Sequence, residues 1–182
     1  LTFNSSEVME VLNHCISCKG CQNECPSNVD MTKLKSEYYA HYYRNNPRPL
    51  RDGLILRFYD LYKMAAWMPS VSNFVIKQFS GLIKRTAQFH LKRSLPPVSR
   101  VTWKKWMKKH QPTSTPTQEK KVYIFIDEFI DLNEAEIGIK TVQLLEALGY
   151  EVEYKEHAES GRAAFSKGFL EHGRRLATRN VE

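Results

Sequence analysis

The sequence lacks an apolar run long enough to cross a lipid bilayer. A membrane-spanning helix needs about 20 consecutive apolar residues. This 182-residue chain has a mean hydropathy of −0.50, and polar side chains interrupt every apolar stretch well before that length. The residues that follow Leu1 also lack the basic-then-apolar order of a secretory signal peptide. We therefore expect no integral membrane protein, and 42% apolar content is enough for one or two small domains.

Cysteine is absent from the chain except between residues 15 and 25. Cys15, Cys18, Cys21 and Cys25 are its four cysteines, so no thiol is left elsewhere to build a disulfide framework with them. Closely spaced cysteines without such partners are typical of a reducing compartment. We therefore expect a cytoplasmic protein, either free or held peripherally on the inner face of the membrane.

The four cysteines have the spacing C-x2-C-x2-C-x3-C and are followed directly by proline. This run is typical of bacterial ferredoxins, which hold [4Fe-4S] clusters through soft thiolate ligands. In two-cluster ferredoxins, the cysteine before the proline binds the other cluster. Cys15, Cys18 and Cys21 are therefore predicted to bind a local cluster. Cys25 is predicted to bind a neighbouring one, and Gly20 to supply the tight turn within the run.

A zinc site is the alternative use of these thiols. Four cysteines can enclose a structural zinc ion, which would make the chain a zinc-stabilised, non-enzymatic adaptor module. Zinc motifs, however, usually place about a dozen or more residues between their two ligand pairs. The close spacing therefore favours the iron–sulfur interpretation.

The chain contains only half of a two-cluster set of ligands. No second cysteine run accompanies the first, and the sequence starts at Leu1 rather than at methionine and ends abruptly at Glu182. We therefore expect a piece of a longer polypeptide, in which a second cluster motif lies upstream.

Acidic side chains are scarce in the middle of the chain. Residues 44 to 110 include fifteen Lys and Arg against two acids, and the rest has twelve basic against eighteen acidic residues. The local excess of +13 and the remaining −6 add up to the net charge of +7. An anionic membrane surface would attract such a segment, with Trp67, Trp103 and Trp106 at the interface. A solvated face, or a face covering an acidic domain, is the more common use of such a charge run, and no nucleic acid partner is expected.

Capping residues and apolar periodicity outline the helices. Ser5 and Ser6 are good caps for a helix that leads to Cys15, and Asp30 can cap a second helix. Further helices are predicted over residues 54–65 and 74–83, in the basic region. The apolar stripe of the second helix is expected to contain Met31, Leu34, Tyr38 and Tyr42.

The last third of the chain has the pattern of a parallel α/β unit. Residues 122–126 form a continuous apolar run, typical of a strand buried on both faces. A helix that ends at Gly149, a strand over 150–154 and a helix over 168–179 are expected to follow. The predicted class is α plus α/β: a helical ferredoxin-like [4Fe-4S] segment (1–46), a basic amphipathic helical region (47–110), a linker (111–119) and a partial α/β domain (120–182).

The cysteine run and its surroundings resemble one family of oxidoreductases. The stretch NHCISCKGCQNECPSNVDM, from Asn13 to Met31, resembles the second cluster motif of large FAD-linked oxidases of the D-lactate and glycolate dehydrogenase type. The resemblance continues through residues 33–35 and 93–96. It also covers residues 126–168, which are similar to the start of the cysteine-rich "CCG" domain of that family.

The resemblance implies a redox function that needs partners. A flavin domain or subunit outside this chain would carry FAD and remove hydride from a 2-hydroxy acid, after which electrons would pass through the clusters toward a quinone or another acceptor. The chain alone would not turn over substrate.

One departure from the family concerns the "CCG" residues. Where relatives have Cys-Cys-Gly, this chain has Glu-Ser-Gly-Arg at 159–162, and Asp127-Glu128 stands where an earlier cysteine often follows the first strand. A structural role for this region is one interpretation. The other is a polar site at the carboxyl ends of the strands, formed by Asp127, His157, Glu159, Ser160 and Arg162.

Overall fold

The computed structural model describes residues 4–112 and 121–182. Its helices are α1 (Ser6–Asn13), α2 (Gly20–Glu24), α3 (Met31–Asn45), α4 (Leu50–Leu56), α5 (Phe58–Ala65), α6 (Pro69–Thr86), α7 (Trp103–Met107), α8 (Glu128–Leu132), α9 (Ala135–Ala147), α10 (Arg162–Ser166) and α11 (Leu170–Val181). Strands β1 (Lys121–Tyr123) and β2 (Glu151–Glu153) form a parallel pair. The predicted α plus α/β class is therefore confirmed. Most of the predicted linker falls on residues 113–120, which lie outside the described residues.

The chain divides into two compact units. The cysteine unit comprises Leu1–Leu56 together with Ser160–Glu182, and the sheet unit comprises Arg57–Glu159. The four segments expected from the sequence follow chain order, whereas the cysteine unit joins two distant stretches. The segment boundaries stay a prediction.

Helices α1 and α3 pack together in the cysteine unit, and both begin at the expected caps. The side chain of Ser5 accepts a hydrogen bond from the N–H of Val8 (3.3 Å). Asp30 accepts from the N–H groups of Thr32 (2.9 Å) and Lys33 (3.2 Å). These bonds satisfy amides that have no partner within the first helical turn. The apolar core between the two helices contains Met9, Leu12, Tyr38 and Tyr39.

The apolar stripe predicted for α3 is wrong in part. Leu34 is exposed, whereas Lys35 and Ser36 are buried. Lys35 Nζ donates to the carbonyl oxygen of Cys15 at 2.5 Å, and Ser36 Oγ donates to that of Thr32 at 2.8 Å. Buried polar groups are tolerated when they are hydrogen-bonded. The side of α3 that contains Lys35 and Ser36 can therefore pack inward, and Leu34 is left at the surface.

The helix predicted over 168–179 is present as α11, two residues later, and the additional short helix α10 precedes Gly168. Gly168 has a φ of +69°, in the left-handed region that ends helices. A Cβ at this position would lie 2.6 Å from the amide nitrogen of Ala40 and from Tyr39 Cβ, both on α3. Glycine therefore allows both the turn and the close approach to α3.

The parallel pairing of the two strands is confirmed, but the burial on both faces predicted for the first strand is wrong. Val122 lies opposite Val152 in the register. Tyr123 and Phe125 are exposed, while Ile124 packs on the core. Side chains alternate between the two faces of a strand, and in the described residues only one face of this two-stranded sheet is covered by the core.

Trp103 lies at the centre of the sheet unit, with none of its side chain exposed. A Cβ on Gly138 would lie 2.5 Å from Trp103 Cδ1, so the absence of a side chain lets α9 pack directly on the indole. The expectation that Trp103 is available at a membrane interface is therefore wrong. The other buried members of this core are Ile126, Ala135 and Val142.

The basic helices differ from the prediction at one point. The single helix expected over 54–65 is divided at Arg57 into α4 and α5, at the boundary between the two units. The next helix is present as α6, with Pro69 at its first position. Among the residues that the structure describes, no helix is both long and apolar enough to span a membrane.

Candidate metal centre

The four cysteines lie on a short loop that connects α1 to α3, here called the cysteine loop (Cys15–Cys25). The N–H of Cys15 donates to Leu12 at the end of α1 (3.1 Å), and the N–H of Cys25 donates to the carbonyl of Cys21 across α2 (2.9 Å). Cys18 is exposed and the other three are half-buried. All four are free thiols. Helix α1 therefore anchors the start of the loop, and a bond across α2 holds its last cysteine.

The tight turns of the loop are made by residues other than glycine. Ser17 and Lys19 have φ values of 58° and 63°, a conformation that is uncommon for side-chain-bearing residues. Gly20 begins α2, and a Cβ there would meet Cys18 Sγ only at an ordinary 3.6 Å. The prediction that Gly20 supplies the turn is wrong. Strain at non-glycine residues persists only when the surrounding structure maintains it, and it concentrates at functional sites.

Several amides of the loop take no part in the hydrogen bonding of the fold. From Ile16 to Cys21, no backbone N–H donates to another described residue. The N–H of Met31 donates to Cys21 Sγ at 3.4 Å, so one thiol already accepts a bond from α3. Hydrogen bonds to cluster sulfur atoms tune the reduction potential of iron–sulfur clusters. The loop therefore presents both ligand atoms and donors.

Cys25 has an environment of its own. Three backbone N–H groups lower the pKa of the Cys25 thiol: that of Val29 has the largest effect, followed by those of Ser27 and Asn28. Burial raises this pKa but offsets them only in part. Asn28, within the same turn, adopts a left-handed φ of 54°. The thiolate is the form of cysteine that binds metal. Cys25 is thus prepared as a ligand by the turn that follows it.

Lys35 joins the cysteine loop to the interior of the cysteine unit. Its ammonium donates to the Cys15 carbonyl at 2.5 Å and lies 5.3 Å from the centre of the Tyr39 ring. Burial is the largest influence and lowers the pKa of Lys35, while the electrostatic effect of the nearby Cys15 opposes it. A further ion pair lies in the same unit, where Lys167 Nζ is 3.1 Å from the buried carboxylate of Asp52.

The cysteine loop fits an iron–sulfur cluster in its donor chemistry and in its backbone. Four soft thiols, amides outside the regular hydrogen-bonding pattern and a thiol with a lowered pKa are what such a group requires. Within residues 4–112 and 121–182, however, no three His, Cys, Asp or Glu side chains converge on one metal-ion position. Ligation by Cys15, Cys18, Cys21 and Cys25 therefore stays a prediction.

Two residues of the predicted polar site serve the fold of the sheet unit. Asp127 caps α8, where its carboxylate accepts from the N–H groups of Phe129 (3.1 Å) and Ile130 (2.9 Å). The Nε2 atom of His157 accepts from the N–H of Ile126 (3.2 Å). Its Nδ1 lies 2.7 Å from the carbonyl oxygen of the next residue. Because one nitrogen accepts and the other donates, His157 is the neutral tautomer with its proton on Nδ1.

The remaining residues of the polar site lie on both sides of the boundary between the units. Burial, followed by the nearby carboxylates of Glu128 and Asp60, raises the pKa of Glu159. Ser160 Oγ accepts from the N–H of Arg162 at 3.3 Å, just before α10. Glu159 belongs to the sheet unit and Ser160 to the cysteine unit. A ligand site at these residues stays a prediction.

Sequence reasoning missed the buried position of Lys35. The available signal was its spacing, because Lys35 lies three and four residues before the buried Tyr38 and Tyr39 and therefore shares their face of α3. A lysine on such a face needs an acceptor, which the cysteine loop provides.

The chain is similar to curated proteins named D-2-hydroxyglutarate dehydrogenase. It is 28% identical over 190 residues to the protein from Pantoea ananatis and 25% identical over 189 residues to that from Escherichia coli. The protein from Pseudomonas putida is also 25% identical, over 189 residues. No family model and no solved structure matches the chain.

These similarities cover nearly all of this chain but little of the relatives. The matches span 97% or 98% of the chain and 18% of each relative. The chain therefore has the length of about a fifth of the proteins it matches. The relatives are named as dehydrogenases of a 2-hydroxy acid, the class of enzyme that the resemblance implied.

Proposed function

We propose that the chain is the iron–sulfur electron-transfer part of a flavin-linked 2-hydroxy-acid dehydrogenase. The similarity of almost the whole chain to proteins named D-2-hydroxyglutarate dehydrogenase supports the oxidoreductase class. The ferredoxin spacing of the cysteines supports the kind of cofactor. D-2-hydroxyglutarate is the first substrate to test on the full-length polypeptide, because it is the compound in the relatives' name.

The backbone of the cysteine loop is the observation that carries this proposal. Ser17 and Lys19 curl the chain into left-handed turns, and the amides around them are left out of the fold's hydrogen bonding. Ile16 is 85% exposed and Cys18 is exposed, so these amides face solvent and stay available to a ligand. Their position beside the thiols makes them suitable donors to the sulfur atoms of a cluster.

Each residue of the loop has a distinct part in this proposal. A bound [4Fe-4S] cluster takes up and gives up electrons one at a time. Cys15, Cys18 and Cys21 bind it through their thiolates. Lys35, on α3, positions Cys15 through a hydrogen bond to its carbonyl oxygen. Cys25 is a ligand of a neighbouring cluster, and the amides that follow it stabilise its thiolate.

The other steps of the reaction belong to partners. FAD on a separate domain or subunit would oxidise the hydroxy acid, because no residue of the cysteine loop can accept hydride. A second cluster motif upstream would supply the remaining ligands around Cys25. A quinone or another acceptor would take the electrons onward. The chain by itself is expected to be inactive toward substrate.

Metal analysis after anaerobic purification tests the proposal. We expect a brown protein with broad visible absorption and, for each intact local cluster, about four iron atoms and four sulfides. Cys18→Ser should lose the colour and the iron, whereas the control Ser27→Ala, which lies two residues after the loop and removes no thiol, should keep both. The cluster of the isolated chain should be sensitive to air, because oxidation attacks accessible thiolates.

A zinc-stabilised, non-enzymatic adaptor is the competing function. It predicts a colourless protein with about one tightly held zinc per chain and no sulfide. That result in the anaerobically purified full-length polypeptide would contradict the iron–sulfur proposal.

A further inference from the structure

Helix α6 has an exposed apolar face on the sheet unit. The side chain of Phe74 is 65% exposed, and that of Trp67, two residues before the helix, is 81% exposed. Scattered apolar side chains on a surface need no explanation, but several on one side of a single helix point to an interaction surface. The residues that form the apolar face of α6 are Val71, Phe74, Val75, Phe79 and Leu82.

The apolar face follows the helical repeat. With about 3.6 residues per turn, its five members fall within less than half of the helix circumference. Ile76 lies on the other side and packs against the core formed by Ala66, Val98 and Leu132. The helix has 18 residues and is therefore about 27 Å long. One side of α6 thus belongs to the protein interior, and the other presents an apolar strip about 17 Å long from Val71 to Leu82, interrupted by the exposed Gln78.

The charge around this strip has one sign. Helix α6 contains Lys77, Lys84 and Arg85 and no acidic residue. Between residues 61 and 118 the sequence contains no Asp or Glu at all. Lys77 and Arg85 are exposed, whereas Lys84 Nζ donates to the carbonyl of Leu91 at 3.1 Å. The apolar strip is therefore bordered by cations, with no carboxylate in its own helix to repel an anionic partner.

We propose that α6, together with Trp67, docks in the plane of an anionic lipid surface. An apolar helix face with a basic border is the pattern of helices that lie at the boundary between headgroups and acyl chains. Tryptophan is enriched at that boundary. The acid-free sequence around α6 favours anionic phospholipid over neutral lipid, because each cation near such a surface adds to the attraction. This inference is independent of the cofactor in the cysteine loop.

An acidic protein surface, or another part of a full-length polypeptide, is the alternative occupant of the apolar face. Both would cover the face in solution and leave it unable to reach lipid. Experiments on the full-length polypeptide therefore decide between these occupants and a membrane.

Vesicle co-sedimentation of the full-length polypeptide is the test. We expect binding to phosphatidylcholine vesicles that contain phosphatidylserine and little binding to phosphatidylcholine alone. Binding should weaken at about 1 M salt, where charges act over only about 3 Å. Replacing Phe74 and Phe79 together by serine should weaken binding on the order of tenfold, because the two rings supply much of the buried apolar area.

Exposed apolar residues elsewhere provide the matched control. Ile137 and Leu144 on α9 have similar exposure, but α9 also contains Glu136 and Glu146. Replacing Ile137 and Leu144 together by serine should leave vesicle binding unchanged. Circular dichroism should show that both double variants are folded. If the Phe74 and Phe79 variant does not fold, Trp67 provides a second readout: anionic vesicles should shift its fluorescence to shorter wavelength, and Trp67→Phe should remove that shift.

Three outcomes would overturn the proposal. The first is equal binding to neutral and anionic vesicles, and the second is no binding of the full-length polypeptide to either. The third is an equal loss of binding in the α6 and α9 variants. The iron content of the samples does not enter these outcomes, so a failed membrane proposal and a failed iron–sulfur proposal are distinguishable.

Discussion

The cysteine loop and the polar loop over residues 157–162 differ in how the fold uses their polar groups. In the polar loop, both ring nitrogens of His157 are engaged with backbone atoms, and Ser160 accepts from the N–H of Arg162. In the cysteine loop, the amides from Ile16 to Cys21 donate to no other described residue. Groups that the fold satisfies contribute to stability, whereas groups that it leaves available can serve a ligand. Substitutions in the cysteine loop should therefore change redox properties, and those in the polar loop should mainly change stability.

The largest effect should come from the cysteines themselves. In the full-length polypeptide, alanine at Cys15, Cys18 or Cys21 should remove the local cluster, a loss of about four iron atoms. Cys25→Ala should instead remove the neighbouring cluster, because the last cysteine of the run serves that one. Iron analysis with electron paramagnetic resonance of each variant is the measurement. Loss of the same single cluster in all four variants would contradict the unequal roles.

Lys35→Met should have the next largest effect. The substitution removes a buried bond from an ammonium to the Cys15 carbonyl, and bonds to charged groups contribute about 1.5–3 kcal/mol. It also removes a positive charge near the proposed cluster, which should lower the reduction potential because the reduced state is the more negative one. Denaturant unfolding and potentiometric titration measure the two changes.

The neighbouring Lys33, which is exposed on the same helix, provides the control. Lys33→Met should leave both quantities near those of the wild type. Equal effects of the two substitutions would mean that general charge, rather than the contact with the cysteine loop, is responsible.

Glu159→Gln should have the smallest effect, and its sign is the informative part. Burial raises the pKa of Glu159 above its ordinary value of 4.5. Because the folded state then holds a proton that the unfolded state has released, wild-type stability falls as the pH rises from about 4.5 through the folded pKa. Glutamine should therefore be slightly stabilising at neutral pH, by less than about 1 kcal/mol because solvent screens this half-buried group. The gain should vanish at a pH below 4.5.

Thermal unfolding at several pH values measures this effect, with the exposed Glu156→Gln as control. The structural interpretation of the polar loop also predicts unchanged turnover of the full-length polypeptide in Glu159→Gln and Arg162→Ala. Slower electron transfer or weaker substrate binding in both variants, with an unchanged melting temperature, would instead support a polar site.

Local signals in the sequence predicted the features that depend on neighbouring residues alone. Ser5 and Asp30 were recognisable as caps because a short polar side chain before an apolar-periodic run satisfies the first amides of a helix. Gly149 was recognisable as a helix end, and it has the expected left-handed φ of 84°. The parallel pairing of the strands followed from their alternation with helices.

The features that escaped prediction depend on distant contacts. Lys35 is buried because the Cys15 carbonyl, twenty residues earlier in the chain, accepts from it. Trp103 is buried because Gly138 leaves room for its indole on α9. The exposure of Tyr123 depends on how many strands join the sheet, which no short stretch of sequence encodes. The left-handed turns at Ser17 and Lys19 were missed because glycine at position 20 was the more familiar signal.

Reduction of the cluster by substrate tests the central claim most directly. D-2-hydroxyglutarate is added without oxygen to the full-length polypeptide, and the electron paramagnetic resonance signal of the local cluster is recorded on rapid freezing. We predict that the signal appears after flavin reduction in the wild type, and that in Cys18→Ala the flavin is still reduced while this signal is absent. Turnover with an unreduced local cluster, or undiminished electron flow to the physiological acceptor in Cys18→Ala, would contradict an electron-transfer role for this chain.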